Sequence, residues 1–160
     1  MKKFLLVTAA ACAFSARAFG DETLKYKGVV HIVAANSQDV GDVEGHTLSV
    51  IRGQGLSLLP EGVAQSSFVS ITDYIHGNGP FTVYMETSFN DGSAIWYKGV
   101  GQAVVQPNKT VDLKIPVTVM GGKGRYAGAK GERMLTGTRL VPLPGQGAEI
   151  VNELSLNIKK

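Results

Sequence analysis

The chain has 160 residues, 44% of them apolar and 18% charged, with 20 glycines and a single cysteine. That length suits one domain, the apolar content excludes a disordered chain, and the lone Cys12 excludes an intramolecular disulfide framework or a multi-thiolate metal site. The formal charge of +3 depends on which part of the chain survives export.

Residues 1–18 have the layout of a secretory signal. Lys2 and Lys3 form its positive start, Phe4 to Ala13 is an apolar stretch too short for a stable bilayer anchor, and Ala16-Arg17-Ala18 supplies a small-x-small cleavage site. Cleavage after Ala18 leaves one domain, residues 19–160; a cut after Ala13 is the alternative. A buried N-terminal helix and a lipid-modified Cys12 are the competing readings, and Ala9-Ala10-Ala11 lacks the large aliphatic residue that lipidation favours. The signal looks bacterial, which makes the expected location periplasmic or secreted. Asn108-Lys109-Thr110, a glycosylation sequon, then carries no weight.

Export changes the charge balance. Losing Lys2, Lys3 and Arg17 lowers the basic residues from 16 to 13, equal to the 13 acidic ones. A neutral domain is a poor nucleic-acid binder, and no second apolar segment predicts a membrane span. Lys123, Arg125, Lys130, Arg133 and Arg139 cluster late in the chain, while Asp39, Asp42, Glu44, Glu61, Asp73, Glu86 and Asp91 come earlier. This polarity describes a solvated surface or head-to-tail contacts.

Beyond residue 20 no window sustains helical periodicity, whereas period-two alternation recurs throughout. Strands are expected at about Leu24–Ala35, His46–Arg52, Leu56–Leu59 and Gln65–His76. Phe81 to Phe89 follows, then Asn90-Asp91-Gly92, a strong hairpin signal. Ala94 to Val105 ends at Pro107-Asn108. Val111 to Val119 contains Pro116, which cannot donate to a ladder and predicts a bulge or an edge there. Arg133–Val141 and Glu149–Ile158 complete nine segments, fitting an all-β up-and-down barrel or sandwich.

The loop Met120-Gly121-Gly122-Lys123-Gly124-Arg125-Tyr126-Ala127-Gly128-Ala129-Lys130-Gly131 formally satisfies a dinucleotide fingerprint through Gly122, Gly124 and Ala127. That fingerprint works only where a helix begins, and Gly128 and Gly131 stop one here. With Val117-Thr118-Val119 before it and Leu135-Thr136-Gly137-Thr138 after it, the loop instead resembles a signature of the allene oxide cyclase and dirigent protein barrels. Gly45-His46-Thr47-Leu48 through Gly55-Leu56-Ser57-Leu58-Leu59 is similar to secreted bacterial members of that group. The resemblance implies a single antiparallel closed barrel of about eight strands, often a homodimer or homotrimer, with an apolar cavity. It also implies guided cyclisation or coupling of reactive organic molecules, without metal or organic cofactor. Leu56–Leu59 is then a hairpin arm or part of its neighbour. In the loop, Gly121, Gly122, Gly124 and Gly128 supply the reversal, and Tyr126 plugs one barrel end. Catalytic residues of the plant relatives do not map onto matching positions.

Candidate chemistry follows from strand phase. Asp73 alternates in step with Val69, Ile71 and Ile75, so an inward face makes it a desolvated general acid; an outward face or a strand-end cap makes it structural. His31 is in phase with Val29 and Val33, and His46 with Leu48 and Val50, while His76 belongs to a turn. A His31–Asp73 pair across strands is a candidate proton relay. None of the histidines has metal-ligand spacing to another, so no metal is expected. Tyr84 and Glu86 share a face, with Trp96 and Tyr97 on the hairpin partner. Together with His46 these suit a planar organic ligand, or fill a core or an oligomer interface. The absence of a Gly-x-Ser-x-Gly elbow and of a cysteine nucleophile disfavours a hydrolase. Three functions remain: a binder of small apolar or aromatic molecules, a cofactor-free cyclase or isomerase, or a structural barrel. A cavity of several hundred cubic ångströms supports the first two.

Overall fold

The computed structural model describes residues 22–142 and 147–159; the expected signal segment lies outside the described residues. Eight strands run in chain order: β1 Glu22–Asp39, β2 His46–Leu59, β3 Gly62–Ile75, β4 Gly79–Ser88, β5 Ala94–Val105, β6 Val111–Lys123, β7 Glu132–Arg139 and β8 Glu149–Ile158. Each pairs antiparallel with its neighbour, and β1 closes the barrel on β8 from Glu22↔Ile158 to His31↔Glu149. The one helical element among the described residues is a 3-10 turn, Gly124–Tyr126. No described helix is long and apolar enough to cross a membrane.

Eight strands rather than nine arise because His46–Arg52 and Leu56–Leu59 are one strand. β2 passes straight through Gly53-Gln54-Gly55, paired on both sides. These glycines mark close approach, not a turn. The ring of Phe68 occupies the space where a Gly53 side chain would stand, and the backbone of Val29 and Val30 does so at Gly55. In β5, Gly101 likewise makes room for Phe81. Inward glycines let rings cross a narrow eight-stranded interior.

Pro116 creates neither the bulge nor the edge expected of it. The β5–β6 register runs unshifted from Gly99↔Val117 to Gln102↔Lys114, and the intervening pairs are missing from the ladder. The absent N–H thus costs a gap inside a closed sheet. The register shifts fall elsewhere, between Ile32 and Ala34 and between Trp96 and Tyr97.

The two barrel ends differ. Around the loops β2–β3, β4–β5 and β6–β7 the interior is packed solid by Ile95, Tyr97, Leu156 and Ile158. Tyr126 caps this end, with 0% of its surface exposed. Its ring lies 4.9 Å from Phe89, and the Arg125 guanidinium sits 4.4 Å from Phe89 and 5.0 Å from Tyr126. Gly121, Gly124 and Gly128 have positive φ, and a Cβ on Gly122 would meet Ala94 O and Tyr126 O at 2.6 Å. The glycine-rich loop is therefore a stopper. Among the described residues only the 3-10 turn Gly124–Tyr126 follows, so no α-helix presents its N-terminus to a phosphate.

Candidate functional site

Toward the opposite end, the interior holds a cavity of about 80 Å³, room for about five to eight waters or one aromatic ring. Its walls come from every strand but β5, mostly as alternate residues because a closed sheet turns every second side chain inward. Tyr74, Phe81, Ile51 and Ile150 form the rim with Arg139, and Tyr26, Met85, Thr87, Leu135 and Asn152 lie deeper. Tyr74 and Phe81 meet edge to face, with centroids 6.4 Å apart. The cavity of several hundred cubic ångströms expected for either a binder or a cyclase is not there, and the space that exists suits at most a one-ring molecule.

The polar groups of this cavity are unusual for a barrel core. Thr72 is 1% exposed and Asn152 8% exposed. Neither Thr72 Oγ1 nor Asn152 Oδ1 has a hydrogen-bond partner among the described residues. Gly28 opposite makes space for the Asn152 amide, since a Cβ there would stand 2.7 Å from Oδ1. Ser70 Oγ donates to the carbonyl of Thr82 at 3.1 Å. Burial pushes the Tyr26 phenol up to about 12, partly offset by a hydrogen bond with Thr87. Burial also pushes the Tyr74 phenol up to about 12, offset in part by the positive charge of Arg139. Both phenols stay protonated and act as neutral hydrogen-bonding groups near neutral pH.

Most side chains singled out in the sequence stand on the other surface. The face of β3 that carries Val69, Ile71, Asp73 and Ile75 is the outer one, and all four are exposed. Asp73 is thus solvated rather than desolvated. His31 also faces outward, where Nδ1 meets Glu149 Oε1 at 2.7 Å, so the His31–Asp73 relay does not form. Asp73 instead meets His46 Nε2 at 2.7 Å, and Asp42 meets His46 Nδ1 at 2.6 Å. Hydrogen bonds to Asp73 and then Asp42 raise the His46 pKa above its ordinary value. Both ring nitrogens are engaged, and among the described residues no group of three or more His, Cys, Asp or Glu is arranged to hold a metal ion.

Tyr84 and Trp96 face outward as well, Tyr84 beneath the Lys98 ammonium at 5.5 Å. Glu86 accepts a hydrogen bond from Ser88 Oγ at 2.5 Å and borders the cavity. Tyr97 points inward but lies in the packed floor, where burial drives its pKa well up. The lining residues Thr72, Tyr74, Arg139 and Asn152 escaped sequence reasoning. Their signal was phase: Asn152 alternates with Ile150, Leu154 and Leu156, and Tyr26 with Leu24 and Val30.

With this geometry in hand, the chain is similar to the pterocarpan synthase dirigent protein, at a TM-score of 0.51 and 12% identity over 90% of this chain and 88% of that one. The two chains share the fold of a closed antiparallel barrel. At that identity the likeness establishes the shared fold and leaves the chemistry of this barrel to its own residues. No family model matches the chain, and no curated protein matches it significantly.

Proposed function

We propose that this dirigent-like barrel is an exported binder of a small, one-ring apolar or aromatic molecule held in the cavity, without a cofactor. One observation carries the reading. Thr72 and Asn152 are more than nine-tenths buried and leave polar atoms unpartnered beside an apolar cavity. Such groups reduce stability by about 1–3 kcal/mol each, so a barrel serving only as a scaffold gains nothing by keeping them. A bound molecule that completes their hydrogen bonds explains them. Binding is favoured over cyclisation because the buried polar groups of the cavity are hydroxyls and an amide, the Glu86 carboxylate at its margin is half-buried and bonded to Ser88, and Asp73 and His31 lie outside. The apolar outer face of β2 and β3 (Leu48, Leu56, Val63, Ile71) supports self-association through that surface.

Titration with phenol, followed by amide chemical shifts, tests the binding. Shifts at Thr72, Tyr74 and Asn152 are expected, and Ser70→Leu, which fills the cavity, abolishes them. An unchanged wild-type spectrum at millimolar phenol would refute the reading. Export is checked by the mass of the protein recovered from its native compartment, expected to start at Phe19.

A further inference from the structure

The cavity wall also contains a charge that its neighbours do not neutralise. Arg139 ends β7 on the rim, half-buried, opposite Val111 on β6 and Ile150 on β8. Both partners are apolar. Among the described residues no carboxylate forms an ion pair with it, and Glu86, the carboxylate that also lines the cavity, accepts from Ser88 instead. The acids nearest in register are turned outward and occupied: Glu149 meets His31, Glu153 meets Lys27, and Asp112 accepts from Thr138. Arg139 and Tyr74 both line the cavity, and the guanidinium's charge acts on the Tyr74 phenol against the larger effect of burial.

A guanidinium presents a planar fork of donors that matches a carboxylate in two parallel hydrogen bonds. Depth sets the rest. Asn152 lies two residues further along β8 than Ile150, the cross-strand partner of Arg139. Two residues of strand separate the two backbone positions by roughly 6.7 Å, which places Asn152 deeper in the barrel than the rim where Arg139 stands. The amide oxygen at that depth has no donor, and the Thr72 hydroxyl is likewise unpartnered.

We infer that the cavity selects a one-ring carboxylate bearing a hydroxyl at the far side of the ring. The carboxylate sits on Arg139 at the rim, the ring lies against Tyr74 and Phe81, and the hydroxyl donates to Asn152. This rests on the binding reading above and adds the charge and polarity of the ligand.

Calorimetric titration with para-hydroxybenzoate and its neutral isostere para-hydroxybenzamide tests it. The acid binds at least roughly tenfold tighter than the amide. Arg139→Gln removes that advantage by weakening the acid much more than the amide, and Arg139→Lys gives an intermediate value because it keeps charge without the fork. Circular dichroism verifies the fold of both rim variants. Equal affinity for acid and amide, or equal losses for both in Arg139→Gln, overturns the charge assignment and leaves the binding reading standing. If neither probe nor phenol binds the wild type, both fall together.

Discussion

Replacing Thr72 by valine exchanges a buried, unpartnered hydroxyl for a methyl group of nearly the same shape. Thr72 is 1% exposed and its Oγ1 has no partner among the described residues, so the wild type carries the desolvation cost of that group, about 1–3 kcal/mol. Discounting for imperfect fit of the added methyl, Thr72→Val stabilises the barrel by about 1–2 kcal/mol. For the about 130 described residues, roughly 2 cal/mol/K each gives an unfolding entropy near 0.3 kcal/mol/K, so the melting temperature rises by about 3–7 °C. Thermal unfolding by circular dichroism reads this directly. The same substitution weakens binding of a hydroxylated ring, because it removes a polar partner from the wall. A melting temperature that falls would show that Oγ1 is already satisfied in solution, and the argument that binding completes this polar group would fail.

Three other outcomes follow from the geometry. Gly55→Ala places a Cβ against the carbonyl oxygen of Val29 and 2.6 Å from Val30 Cα. Main chain cannot yield there, so the variant loses more than about 3 kcal/mol, and an unchanged denaturant midpoint would contradict the β1–β2 packing. The His46 clamp is pH-dependent with a definite sign. Its folded pKa is raised above 6.5, so its stabilisation is full below that value and fades as pH climbs through the folded pKa. Asp42 is held below its ordinary 3.8 by His46, so its share is present above that value and fades as pH falls through the lowered pKa. An NMR titration showing an ordinary His46 pKa, or one insensitive to Asp73→Asn, would contradict the clamp. Finally, Ile71→Lys on the outer face of β3 is expected to shift the protein to monomer by light scattering without loss of fold; an unaltered mass would remove that surface as the contact.

Asp73 shows how far strand phase alone can reach. Alternation separates the two faces of β3 without saying which is inside, and ordinary burial rules place Val69, Ile71 and Ile75 inward. The barrel reverses this. Its interior at that level is a cavity lined by Ser66, Ser70, Thr72 and Tyr74, while the aliphatic residues look out. The same inversion put His31, His46, Tyr84 and Trp96 on the expected cavity wall when they stand outside it. Glycine was the better guide to the interior, since Gly53 and Gly101 face the rings of Phe68 and Phe81.

The amino-acid sequence by itself determined that the domain is made of period-two strands joined by short turns, and that Gly121 to Gly128 reverse the chain around Tyr126. These are local properties, set by residue alternation and by backbone angles that favour glycine. Which face is enclosed, that β2 runs unbroken through Gly53 and Gly55, and that Arg139, Thr72 and Asn152 share one cavity were decided only by closure of β1 on β8. Closure is a long-range event. It curves the whole sheet at once, and only then does one side of every strand become the inside.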